Sequence, residues 1–132
     1  MKSARAVAHT NIALVKYWGK RDSTPPDLNL PAVGSLSLTL DRLRSETLVR
    51  PTERDVFTLN EAPSADDVAA KVFRHLDRVW QAAGRSGPRP ACAVASRNFL
   101  PTAAGLASSA SGFAALTLAA AAAFGFEPLD DR

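Results

Sequence analysis

The chain has 132 residues, 46% of them hydrophobic, and 16 Lys and Arg against 13 Asp and Glu give a formal net charge of +3. That length fits one domain with a real core, and a charge so small, with no block of Lys or Arg, excludes a nucleic-acid arm and leaves small anions as the favoured partners. The single cysteine, Cys92 in "ACAVAS", excludes an internal disulfide and zinc-ligand spacing, and reads as a buried thiol in a reducing compartment.

The start "MKSARAVAHTN" carries positive charge without an apolar segment behind it, which argues against a secretory signal and for the cytoplasm. "ARAVAHT" reads as a strand, and "SLSLTLD", "SETLVRP" and "DVFTLN" follow as three more with turn residues between them. The period then changes. In "SADDVAAKVFRHLDRVWQAAG", Val68, Val72, Leu76 and Val79 recur at helical spacing beside Phe73 and Trp80, Ser64 with Asp67 makes an N-terminal capping signature, and Gly84 closes the helix. "GPRPACAVASRN" gives a loop and a fifth strand. A second helix is expected from Gly105 or Leu106 through "FAALTLAAAAAFGF" to a stop at Gly125. Its serines and the lack of flanking positive charge favour a buried core helix over a membrane span. Beyond it, Pro128 with Asp130 and Asp131 resembles the start of another helix. Four strands, helix, strand, helix is an α+β order.

Two segments carry chemistry. "PTAAGLASSASG", residues 101 to 112, places a glycine, small neighbours and adjacent hydroxyls before the apolar helix. A helix N-terminus holds unpaired N–H groups and partial positive charge, so this stretch suits a phosphate cradle with Ser108 and Ser109 as added donors or a contact to Mg²⁺. The same residues also suit plain helix capping with close packing, and both readings stand on this stretch alone. It matches neither a P-loop nor a G-x-G-x-x-G element. The second segment, "AHTNIALVKYWGKRD", gathers Lys16, Tyr17, Trp18, Lys20 and Arg21 around Gly19, more large polar and aromatic groups than simple strand packing needs.

Together with "LNLPAVGSLSLTL", these segments resemble the diphosphomevalonate decarboxylase family of the GHMP kinase superfamily, from about Ala8 to the end of the sequence. Residues 101 to 110 satisfy the superfamily pattern P-x-x-x-G-L-x-S-S-A, and "KYWGK" is similar to the decarboxylase branch. The resemblance implies one domain over 1–132: the amino-terminal ATP- and substrate-binding fold of that superfamily, a mixed sheet backed by helices and similar to the second domain of ribosomal protein S5. It also implies ATP with Mg²⁺ as cofactors, and mevalonate 5-diphosphate as a substrate converted to isopentenyl diphosphate, ADP, phosphate and CO₂.

Residue by residue, Pro101, Thr102, Ala103, Ala104, Gly105, Leu106, Ala107, Ser108, Ser109 and Ser111 match the nucleotide-phosphate loop, with Ser109 the contact to Mg²⁺ or the γ-phosphate. Ser96 lines the nucleotide pocket, and Lys16 matches a lysine linked to the nucleotide phosphates, so Lys16 and Ser109 are the catalytic candidates. Tyr17, Trp18, Gly19 and Lys20 fall on the substrate element, and Lys71 falls where the family has a basic residue for the substrate diphosphate. The family's carboxyl-terminal "GSGSA"-type segment, its substrate arginine and its catalytic aspartate have no counterpart in these 132 residues. The expectation is therefore an amino-terminal part without the carboxyl-terminal domain, inactive alone, whose alanine-rich helix awaits cover from a missing half or a homodimer partner. A sibling kinase that phosphorylates without decarboxylating and a non-enzymatic binding module are the other two readings, and neither nucleic acid nor membrane is expected as a partner.

Overall fold

The computed structural model describes residues 1–16, 19–21, 30–99 and 108–126, with Ser108 by its backbone alone. The elements run β1 (Ala4–Val15), β2 (Leu36–Pro51), β3 (Val56–Leu59), β4 (Ala62–Pro63), α1 (Asp66–Ala82), β5 (Cys92–Phe99) and α2 (Ser108–Phe124). The strands form one sheet in the order β1-β2-β5-β3-β4. Only β3 and β5 pair in parallel; every other neighbour is antiparallel, so the sheet is mixed as expected.

"SLSLTLD" and "SETLVRP" are one strand, not two. Nothing between Asp41 and Ser45 is a turn former, and β1 pairs with β2 on both sides of this stretch. The join is a bulge in which Thr10 of β1 faces the four residues 40–43 of β2, with His9 Nδ1 3.1 Å from the Leu40 carbonyl. The short hairpin β3–β4 turns through Asn60 (φ 50°) and Glu61 (φ 69°), both in the left-handed region that a two-residue hairpin turn requires.

Helix α1 begins one residue later than the Ser64/Asp67 signature implies. Its N-cap is the extended residue Ala65, without a side-chain cap; the Ala65 carbonyl accepts from Val68 and Ala69, and Asp66 and Asp67 face the positive helix end. Both helices stop as the sequence predicts, at Gly84 (φ 69°) and Gly125 (φ 83°). In each, the residue after the glycine donates back to the carbonyl five residues earlier, Arg85 to Trp80 and Phe126 to Ala121, which satisfies the last turn. The helix start expected near Pro128 lies outside the described residues.

The core lies between one face of the sheet and the two helices. Val49, Phe57, Cys92 and Val94 from the sheet meet Val72, Leu76 and Val79 of α1 and Leu116, Ala119, Ala120, Ala123 and Phe124 of α2. Alanine explains the composition of α2: small side chains let it lie close on Ala4 and Ala6 of β1, and the Lys2 N–H reaches the Ala123 carbonyl at 3.0 Å. The sheet and α1 thus already cover most of the alanine-rich helix, contrary to the expectation that it awaits a partner. Exposed apolar side chains gather instead at the far end of the β1–β2 hairpin, where Leu14, Val15, Leu36 and Leu38 are each more than half exposed. Among the described residues no helix is long and apolar enough to cross a membrane.

One buried cation ties the ends of three elements together. The Arg89 guanidinium bonds both oxygens of Asp55 at 2.9 and 2.5 Å, lies 2.8 Å from Asp77 of α1, and sits over the Phe73 ring. The Cys92 N–H also donates to Asp55, at 3.0 Å. Hydrogen bonding from Arg89 holds the Asp55 carboxyl below the usual carboxylate range despite its partial burial, while burial pushes the Cys92 thiol up to about 11 and leaves it a neutral core group. Because folding lowers the Asp55 pKa, its contribution is fully present above the unfolded value of about 3.9 and is lost as pH falls through the folded value. Asp55→Asn should therefore destabilise the chain by about 2 kcal/mol near neutrality, less than a fully buried pair because Asp77 still faces Arg89. Chemical denaturation at pH 7 and pH 3 measures it, and the difference between wild type and variant should shrink at the lower pH.

Candidate functional site

The parallel β3–α1–β5 crossover sends both helices antiparallel to β1, β3 and β5. The N-termini of α1 and α2 and the C-terminal ends of these strands therefore share one end of the molecule. A cleft of about 250 Å³ opens there, lined by Phe57, Leu59, Val68, Val72, Phe113 and Leu116 on its apolar walls and by Lys71, Ser96, Asn98, Ser109 and Gly112. An apolar slot with a few converging polar groups at a helix N-terminus is built for a ligand with a flat apolar part and an anionic end.

Three residues singled out in the sequence meet in this cleft although they are far apart along the chain. Ser109 is exposed in the first turn of α2, Lys71 reaches in from α1 with only the exposed Asp67 beside it at 3.8 Å, and Ser96 lies on β5. The Ser96 hydroxyl is 2.6 Å from that of Thr47, which is fully buried. Ser111 is placed differently. It is buried against the sheet with its hydroxyl 2.9 Å from that of Ser45, which gives its own proton to Asn98 Oδ1 at 2.8 Å. Ser111 therefore donates to Ser45, anchoring the first turn of α2 to β2, and it does not line the cleft.

The cleft also holds Asn98, which the sequence reading passed over. Its Oδ1 accepts from Ser45, so its amide protons are the group turned to the cleft, and its backbone N–H is held by Asn60 Oδ1 at 2.9 Å. The signal was present, since Ser96 and Asn98 are two residues apart on one strand and share a face.

Lys16, Gly19 and Lys20 stand at the tip of the β1–β2 hairpin, outside the cleft lining but beyond the N-terminal end of α2. Gly19 has φ 78°, which favours glycine, and Lys20 bridges to Pro31 while Arg21 donates to the Leu30 and Pro31 carbonyls, so the hairpin continues past β1. Tyr17, Trp18 and Pro101, Thr102, Ala103, Ala104, Gly105, Leu106 and Ala107 lie outside the described residues, as does the side chain of Ser108.

A mixed five-stranded sheet with two helices on one face, and an anion-suited cleft at their N-termini, defines the amino-terminal fold of the GHMP kinase class. Residues 8–131 match the family described as the diphosphomevalonate decarboxylase-like N-terminal domain. The chain belongs to that family. It is 46% identical to the diphosphomevalonate decarboxylase ERG19 of Gibberella zeae over 89% of this chain and 34% of that protein. The solved mevalonate diphosphate decarboxylase of Enterococcus faecalis superposes with a TM-score of 0.78 at 46% identity, covering 94% of this chain and 38% of that one. A solved complex of MDDEF with MVAPP, AMPPCP and magnesium gives a TM-score of 0.77 at 46% identity, covering 94% of this chain and 37% of that one. The chain thus spans about a third of the length of its relatives and corresponds to their amino-terminal part.

The two serines of α2 should respond oppositely to truncation. Ser111→Ala removes a buried donor and leaves the Ser45–Asn98 pair short of one bond, so it should cost about 1–2 kcal/mol of stability, whereas exposed Ser109→Ala should stay within about 0.5 kcal/mol. Paired denaturant melts of the two variants measure the difference.

Proposed function

We propose that this chain is the nucleotide- and substrate-binding part of an ATP-dependent diphosphomevalonate decarboxylase, acting with the remaining two-thirds that its relatives possess. The observation that carries the reading is the meeting of Lys71, Ser96, Asn98 and Ser109 in one cleft at the start of α2. The apolar walls fit a nucleotide base and sugar. Phosphates fit the positive helix end, where Ser109 is open to solvent and Lys71 adds charge.

The donor set also fits Mg²⁺ carried in on those phosphates, because this ion keeps several waters and takes few protein ligands, and the Ser109 hydroxyl is available to it. When bound, ATP with Mg²⁺ supplies a transferable phosphoryl group, turning a tertiary hydroxyl into a good leaving group ahead of CO₂ loss. The chain's own contribution is positioning. Ser96 and Asn98 orient the nucleotide, and Ser111 keeps the first turn of α2 seated on the sheet; Ser109 holds the nucleotide phosphates together with Lys71, which lines the same cleft and takes this role in place of the substrate-diphosphate contact that the resemblance implies. Lys16 reaches the nucleotide phosphates from the hairpin tip, and Tyr17, Trp18, Gly19 and Lys20 hold mevalonate 5-diphosphate, with Lys20 on the diphosphate.

Calorimetric titration of the chain with Mg²⁺ and AMPPCP tests the nucleotide reading. Ser109→Ala and Lys71→Ala should each weaken binding about 10-fold, the loss of roughly 1.4 kcal/mol in a charge-assisted contact. Wild-type affinity in a folded Ser109→Ala chain would return that hydroxyl to helix capping. In the longer enzyme, Lys20→Ala should weaken mevalonate 5-diphosphate binding about 10- to 100-fold. CO₂ released in step with ADP separates a decarboxylase from a pure kinase, and the 132-residue chain alone should release none.

A further inference from the structure

Next to the nucleotide cleft, with which it shares Lys71 and Phe113, a second and open hollow of about 300 Å³ lies between α1 and α2, lined by Lys71, Arg74, His75, Arg78 and Phe113. We propose that this groove binds a small phosphate-bearing anion through Arg74 and Arg78, beside the phosphate cradle at the start of α2 and sharing Lys71 with it.

Lys71, Arg74 and Arg78 recur at helical spacings of three and four, so their cations share one face of α1 and repel one another. Arg5 and Arg44 pair with Glu46, Arg89 with Asp55 and Asp77, and Arg97 with Glu61, whereas Arg74 and Arg78 turn their charge to the hollow. Among the described residues no carboxylate lies within 4 Å of Arg74 or Arg78, and only Asp67 reaches Lys71. A solvated helix face normally intersperses the two signs. Here the sign is uniform over the hollow, and a bound anion would relieve the repulsion.

His75 gives the hollow a polar wall whose proton position is set from behind. The Thr117 hydroxyl gives its proton to the Phe113 carbonyl at 2.8 Å and therefore accepts from His75 Nε2 at 2.8 Å. That fixes the proton of neutral His75 on Nε2 and leaves Nδ1 as the ring's other polar atom. Burial, then the Arg78 charge, holds His75 below the usual imidazole range. An anion among Lys71, Arg74 and Arg78 would offset that charge, favour protonation at Nδ1, and gain a further donor. Phe113 packs edge-on against the His75 ring at 4.9 Å, closing the side toward the nucleotide cleft.

The groove offers about 300 Å³ beside these cations, room for one or two phosphate groups with their hydration shell. Arginine forks placed one turn apart match tetrahedral oxyanions better than point charges do.

The test is an NMR titration of the chain with inorganic pyrophosphate, and in a second arm inorganic phosphate, without metal, following the His75 ring nitrogens and backbone amides. Pyrophosphate should shift His75 Nδ1 toward the protonated form. Arg74→Gln combined with Arg78→Gln should weaken binding about 30- to 100-fold, roughly 2.0 to 2.7 kcal/mol, and Ser109→Ala should change it less than about twofold. Arg78→Lys, which keeps the charge without the fork, should fall between. Binding unaltered by the double substitution, binding abolished by Ser109→Ala, or a response to an acidic peptide but to neither anion would each overturn the proposal. Because AMPPCP binding is read separately and depends on Ser109, a failure here is distinguishable from a failure of the nucleotide reading.

Discussion

The parallel pairing of β3 with β5 is the constraint on which the rest of this fold depends. Parallel neighbours cannot be joined by a hairpin, so the chain must leave the sheet, cross through α1 and return, and a right-handed crossover puts that helix on one defined face. Once α1 lies there, α2 packs beside it running the same way, and two positive helix ends emerge together. Fixed dipoles and strand ends then concentrate where the polar side chains of β5 already point. The cleft is a by-product of topology before it is a set of residues.

Buried hydroxyls convert that topology into fixed positions. Ser45, Thr47, Ser96, Asn98 and Ser111 form a polar seam inside an otherwise apolar interface, each hydroxyl or amide matched to another. Apolar contacts between a sheet and an alanine helix are non-directional and would let the helix slide. Hydrogen bonds in a low-dielectric interior do not tolerate such sliding, because an unpaired buried group costs more than the bond itself contributes. The seam sets the height of α2 over the sheet, and with it the height of Ser109 over the cleft.

Much of this was legible in the sequence. The two helices and their glycine stops could be read from a 3.6-residue apolar period ending in a residue free to adopt positive φ, and the strands from alternation in "ARAVAHT" and "ACAVASRN". The failures have physical causes. Strand β2 looked like two because apolar alternation falters at Asp41–Arg44, yet a bulge interrupts alternation as effectively as a turn does. The β3–β4 turn uses Asn60 and Glu61 without any glycine to announce it. Ser64 resembled a cap because composition does not locate the first helical residue to within one position. In the site, Ser96, Ser109 and Lys71 were each visible as residues, but their convergence is a long-range consequence of α1 crossing onto α2, which no local pattern encodes. The distinction between Ser109 and Ser111 is one of helical phase, and it emerged only when α2 was seated on the sheet.

The bulge at Thr10 matters for more than its shape. Four residues of β2 stand against one of β1, an excess of three, and three is odd. On the body side Ser45 faces Ala8, and on the far side Leu38 faces Ile12, so β2 changes the parity of the residues it turns toward the helices. Without that change, Ser37 and Thr39 would lie on this side of the hairpin tip and the leucines on the other. The bulge acts as a phase inverter between two halves of one ribbon, giving the region beyond the α2 N-terminus an oily floor while the seam beneath the helix stays polar. Deleting a single residue within 40–43 would restore even parity and turn Ser37 and Thr39 to the helix side in place of the leucines, with no change in a side chain that touches the cleft.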